Sequence, residues 1–131
     1  MPERRFRPPH PVDLCLTLGP LRRGRGDPTM RIDHGDAWRA TRTPAGPATV
    51  HLSCRGGEVT ARAWGPGAEW ALENAPALVG ALDDDSSFEP CHAVLVDLRH
   101  RLTGLRIPRS GSVVEALVPT IIEQKVTTVE A

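Results

Sequence analysis

The sequence predicts an α+β fold: a small antiparallel sheet with packed helices, followed by the first helices of an all-α domain that is truncated. Three observations predict it. Gly56-Gly57 sits at the centre of a hairpin pattern whose flanking residues sort into one apolar and one polar face. After Gly65-Pro66-Gly67 the apolar spacing changes from two to the helical period. Two helix-start signatures then stand near the C-terminus, Ser112…Glu115 and Thr127…Glu130, and the second has almost no chain left for its helix.

Residues 1–11 are rich in Arg and Pro and read as disordered or extended. Val12, Leu14, Leu16 and Leu18 alternate with Asp13, Cys15 and Thr17, which predicts a half-buried strand ended by Gly19-Pro20. A polar Arg/Gly loop over 21–28 follows. Met30-Arg31-Ile32-Asp33 is expected to pair with a strand over 36–43 across a His34-Gly35 turn. In that strand Trp38 and Ala40 point together, and Gly46-Pro47 turns the chain into the next hairpin.

Gly56 and Gly57 can supply the positive φ angles of a two-residue turn. The turn sets Arg55 opposite Glu58 as an ion pair. It also puts Cys54 across from Val59, Leu52 from Ala61 and Val50 from Ala63, all on one face. The opposite face carries Ser53/Thr60, His51/Arg62 and Thr49/Trp64. A sheet covered on one side requires this division.

Ala71, Ala75, Leu78, Val79 and Leu82 form a helical stripe that can lie on the apolar face, with Pro76 kinking or dividing it. The acid-rich stretch 83–90 is a linker: three consecutive carboxylates cannot all face one ion on a regular element. The domain boundary therefore falls at 1–90 and 91–131. A helix over 91–101 presents Val94, Leu95, Leu98 and Leu102 on one face. Ser112 and Glu115 open another, striped by Val114, Leu117, Val118, Ile121 and Ile122 and interrupted by Pro119. Each of these side chains is worth roughly 1.5–3 kcal/mol when fully buried. The stripe is expected either to pack back on the chain or to await partner helices.

Composition sets limits on function. The chain has 131 residues and no net charge, so total charge selects no partner. Fifteen Arg stand against one Lys, Lys125, and residues 1–31 hold seven of those Arg. Such an arm is first a solvated tail and second a phosphate contact. Three widely spaced cysteines, Cys15, Cys54 and Cys91, fit reduced thiols rather than a disulfide framework. No N-terminal signal pattern and no apolar run of about 18 residues exists, so no membrane partner is expected and the protein reads as cytoplasmic. Cys91-His92, Cys54 and His51 lack zinc-finger spacing, and no metal or cofactor is expected. Trp38, Trp64 and Trp70 read as core or rim residues, with base stacking as the alternative.

Gly104-Leu105-Arg106-Ile107-Pro108, the apolar helix that carries Glu115, and Ile121-x-x-Gln124-x-Val126-Thr127 together carry a resemblance. In that order they are similar to the opening of the catalytic domain in DNA glycosylases of the helix-hairpin-helix superfamily. The likeness is to the alkylation-repair branch, the 3-methyladenine DNA glycosylase II (AlkA-like) proteins. It covers the whole chain in architecture, and its specific motif lies within residues 104–131.

The resemblance implies an N-terminal sheet-and-helix domain similar to half of a TATA-binding protein. It implies a function in base excision repair, in which a damaged base is flipped out and its glycosidic bond cut. The implied partners are damaged double-stranded DNA and a C-terminal catalytic half. Gln124 matches the DNA-facing helix end, Lys125 the position that carries an apolar wedge in some relatives, and Thr127 the cap that follows. A Lys is a poor apolar wedge, and contact with phosphate or a base edge is the expectation for it. The hairpin and the catalytic Asp belong to sequence beyond Ala131, so no residue is assigned as catalytic and the chain is expected to be inactive alone. The alternative reading is a free-standing DNA-binding or interaction module, supported by Arg39, Arg42, Arg55, Arg62 and the basic arm.

Overall fold

The computed structural model describes residues 2–127. Its elements run β1 (Glu3–Phe6), α1 (Leu14–Leu18), β2 (Met30–Asp33), β3 (Asp36–Thr43), β4 (Gly46–Arg55), β5 (Glu58–Trp64), α2 (Ala68–Leu78), α3 (Ala93–Arg101) and α4 (Val113–Ile122). The five strands form one antiparallel sheet in the order β1-β5-β4-β3-β2. The α+β class is therefore as the sequence predicts. Among the described residues no helix is long and apolar enough to cross a membrane.

Two tight hairpins behave as their turn residues require. Gly56 and Gly57 adopt φ values of 57° and 78°, and His34 and Gly35 adopt 36° and 87°. Positive φ at both central residues matches the right-handed twist of the flanking strands. Around Gly56-Gly57 the partners are Cys54↔Val59, Leu52↔Ala61 and Val50↔Ala63, in the predicted register. Leu52, Ala61, Val50, Ala63 and Val59 are buried.

Two local expectations are corrected, and the arm left open as disordered or extended proves extended. The apolar alternation over 12–18 is a helix, not a strand. Asp13 caps it by accepting the Leu16 N–H at 3.0 Å, and the buried residues are Leu14, Thr17 and Leu18, a helical spacing. Leu16 and Cys15 face outward, so the period of two is accidental. The Arg-rich arm is partly strand β1, paired Glu3↔Arg62 through Phe6↔Val59. Its Arg4 donates to the carbonyls of Leu72 and Glu73 on α2. The β3–β4 turn lies at Pro44-Ala45, and Pro47 is inside β4 opposite Arg42. Thr43 closes that turn, its hydroxyl donating to Gly46 O at 2.7 Å and accepting the Ala45 N–H at 3.2 Å.

Helices α1 and α2 cover one face of the sheet. From α2, Ala68, Ala71, Leu72, Ala75 and Leu78 are buried against β4 and β5. Alanine on the helix and in β5 lets the two layers approach closely. Pro76 lies within α2, which runs only two residues further. Leu82 of the predicted stripe falls outside the helix and is exposed. The opposite face of the sheet is uncovered, and neither α3 nor α4 contains a buried residue.

Candidate functional site

The segment that begins at Gly104 and leads into α4 is anchored to the sheet by its first residues. Gly104 O accepts the Asp13 N–H at 2.8 Å and the Thr17 hydroxyl at 3.2 Å. Thr17 in turn accepts the Arg106 N–H at 3.2 Å. The Arg106 side chain is buried and donates to Pro11 O at 3.2 Å and Thr103 O at 3.0 Å. Its third contact is Asp85, at 3.1 Å, so one carboxylate of the acidic stretch neutralises a buried guanidinium. The Gly-Leu-Arg sequence thus serves packing between α1 and the chain that leads to α4. Asp83 of the same stretch accepts the Ile107 N–H at 3.2 Å, and among the described residues no group of three His, Cys, Asp or Glu is placed to hold a metal.

Helix α4 begins where Ser112 predicts, but the capping box does not form. Ser112 makes no side-chain cap bond. Glu115 turns instead toward the sheet, where one carboxylate oxygen meets Arg39 at 3.1 Å and the other accepts the Thr41 hydroxyl at 2.6 Å. A buried guanidinium is a stronger attraction for that carboxylate than a solvent-exposed backbone N–H. At the other end of α4, Glu123 meets Arg23 at 3.3 Å. Arg23 is held by its own loop, its N–H donating to Asp27 at 2.8 Å.

These contacts fix which way α4 faces. Ser112, Glu115, Pro119 and Glu123 form the half-buried line toward the sheet. The apolar stripe points outward: Val113 is 79% exposed, Val114 70%, and Ile121 and Ile122 55% each. The stripe does not pack back on the chain. Val94, Leu95 and Val96 on α3 are exposed in the same way. A helix that presents its polar edge to its own sheet and its apolar face to water is built to be covered.

Gln124 and Lys125 follow the C-cap Glu123 directly and are exposed, as is Thr127. A helix C-terminus carries the negative end of the macrodipole, so an anion there needs a cation, and Lys125 supplies one. The second predicted capping box reaches past Thr127 and lies outside the described residues.

The uncovered sheet face holds an aromatic cluster that sequence reasoning did not assemble. Trp38 stacks on His51 with ring centroids 4.3 Å apart and on Trp64 at 5.5 Å. The pairings Trp38↔His51 and Thr49↔Trp64 could have revealed it, since both follow from the hairpin register. His51 Nε2 lies 3.1 Å from Asp36. Arg55 also bonds Asp36 rather than the Glu58 opposite it. Arg62 and Arg5 share Glu3, and these two guanidinium groups, Arg62 foremost, hold the Glu3 carboxyl below its ordinary value. Arg39 is not on this face: it stands opposite core Val50, and its charge is taken by Glu115. Trp70 sits elsewhere, on α2, against Gly111.

Compared with protein-family models, with curated proteins and with solved structures, the chain matches none.

Proposed function

We propose that this chain provides the sheet domain and the first DNA-facing helix of an alkylated-base DNA glycosylase acting in base excision repair, and that it is inactive by itself. The observation that carries the reading is the orientation of α4. Its polar edge lies on the sheet, its apolar face is free to receive further helices, and it ends on exposed Gln124 and Lys125. The order of the Gly104-Leu105-Arg106 anchor, the Glu115 helix and the Gln124-x-Val126-Thr127 end supports the same reading, as does the five-stranded sheet with helices on one face. Partner helices would cover the apolar stripe and bring the hairpin and the carboxylate that the resemblance assigns to the catalytic half. Gln124 and Lys125 would then meet damaged duplex DNA beside the flipped base.

The test assays release of methylated purines from alkylated duplex DNA. The chain alone should release none, and the chain mixed with a complementary helical half should release them. Ile121→Glu and Val118→Glu should abolish that complementation while leaving the fold of the sheet domain intact. Robust excision by the chain alone would overturn the inactivity, and no excision with any complementing half would overturn the assignment.

A second reading has its own observation. The Trp38–His51–Trp64 stack on the uncovered face suits a free-standing module that binds nucleic acid by base stacking. Its electrostatics are weaker, because Arg5, Arg55 and Arg62 are each already paired with a carboxylate on that face. Loss of single-strand affinity in Trp38→Ala, with Lys125→Ala unaffected, would favour this reading over the first.

A further inference from the structure

We infer that Arg39 and Glu115 are positioning residues: the ion pair holds α4 at a fixed orientation on the sheet and so sets where Gln124 and Lys125 meet DNA. The inference rests on the glycosylase reading for its DNA partner, but the clamp itself stands on geometry. Arg39 is 8% exposed and lies on the core side of β3, where a guanidinium without a carboxylate would be costly. Glu115 satisfies it from the first turn of α4, and Thr41, two residues along the same face of β3, takes the other carboxylate oxygen. Three side chains on two elements therefore fix the helix in rotation as well as in place.

The far end is clamped separately. Arg23 meets Glu123, and its other nitrogen lies 3.5 Å from Ala116 O. Glu115 and Glu123 are eight residues apart, about 12 Å along a helix. With none of the apolar face of α4 buried, these polar contacts are what determines its rotation. A rotation about the helix axis would move Gln124 and Lys125 away from any DNA surface that the helical domain presents. The sheet domain thereby acquires a role in recognition without touching the nucleic acid.

The experiment uses the full 131-residue chain with two readouts. Amide exchange is followed separately in α4 and in β4, and affinity for a duplex containing an abasic-site analogue is measured as a function of salt. In the parent chain Lys125→Ala should lower the salt slope by about one phosphate contact and Gln124→Ala should weaken binding about tenfold. Arg39→Met should speed α4 exchange about tenfold or more, leave β4 protected, and remove the effects of both substitutions. Arg39→Lys, which keeps the charge but not the fork, should fall between. Glu115→Gln gives the same comparison from the half-buried partner if Arg39→Met also loosens β4. If Lys125→Ala lowers the slope equally in the parent, in Arg39→Met and in Glu115→Gln, positioning is overturned and the DNA reading stands. If neither Gln124→Ala nor Lys125→Ala changes binding in the parent, the DNA reading is overturned, and the exchange data alone judge the clamp.

Discussion

Gly104 and Asp13 are in backbone contact across the molecule: the Gly104 carbonyl accepts the Asp13 N–H at 2.8 Å, and a Cβ on Gly104 would lie 2.7 Å from that nitrogen. Gly104 is buried and its neighbour there is backbone, which cannot swing aside. Gly104→Ala should therefore destabilise the chain by about 1–3 kcal/mol, the usual cost of overpacking. Gly26→Ala is the control. Gly26 has a negative φ and open space around it, so alanine there should be neutral or stabilise by up to about 1 kcal/mol. Urea midpoints read both, and equal effects would refute the packing account.

Arg106 is expected to resist replacement by lysine. Its guanidinium serves Pro11 O, Thr103 O and Asp85 at once, a spread that a single ammonium cannot cover. Arg106→Lys should cost roughly 1–3 kcal/mol because the part-buried carbonyls of Pro11 and Thr103 lose their donors and a buried ammonium is left short of acceptors. Asp85→Asn should cost less, since the Asp85 side chain is half exposed and the pair is screened there. A larger effect from Asp85→Asn than from Arg106→Lys in thermal unfolding would reverse this ranking.

Asp27 gives the loop over 22–29 a dependence on acid. Burial raises its pKa, but the Thr29 hydroxyl and the N–H groups of Arg23 and Thr29 outweigh burial and hold it below the ordinary 3.8. A carboxyl whose folded value is depressed stabilises the fold fully above its unfolded pKa. That contribution is lost as pH falls through the lowered value. The stability gap between the parent chain and Asp27→Asn should thus be constant near neutral pH and narrow on acidification below 3.8. A gap independent of pH would show that the charge on Asp27 contributes nothing.

The three thiols should react in two classes. Cys15 and Cys91 are exposed. Cys54 is half-buried with its Sγ 3.6 Å from Val12 O, and burial pushes its pKa up despite the nearby Arg55. Less thiolate and less access both slow alkylation. Iodoacetamide under native conditions should label Cys15 and Cys91 well before Cys54, and denaturant should bring the three rates together. Equal native rates by mass spectrometry would contradict the placement of Cys54.

Much of the sheet was legible because its determinants are local. The Gly56-Gly57 and His34-Gly35 turns dictate their hairpins, and the alternation of Val50, Leu52 and Cys54 fixes which face is buried. The candidate site was less legible. Glu115 read as half of a capping box, a local role, whereas its partners are Arg39 and Thr41, the latter 74 residues away in sequence. One signal was present: register places Arg39 opposite core Val50, and an arginine in that position demands a carboxylate from elsewhere. The Trp38–His51–Trp64 cluster was implicit in the same register, since cross-strand neighbours on one face must touch.

By itself the sequence determined the strands from Met30 onward, the register of the Gly56-Gly57 hairpin, the start of α4 at Ser112 and the apolar character of its stripe. These follow from side-chain period and turn chemistry, which act over a few residues. Tertiary structure decided the rest. It made residues 14–18 a helix, through an Asp13 cap and a Thr17 hydroxyl that donates to Gly104 O, 87 residues away. It paired the Arg-rich arm as β1, because the edge of β5 needed a partner for its backbone groups. It also turned α4 so that Glu115 faces in and the Val and Ile side chains face out. Periodicity can locate a stripe on a helix, but only the partners of that helix determine the direction in which the stripe points.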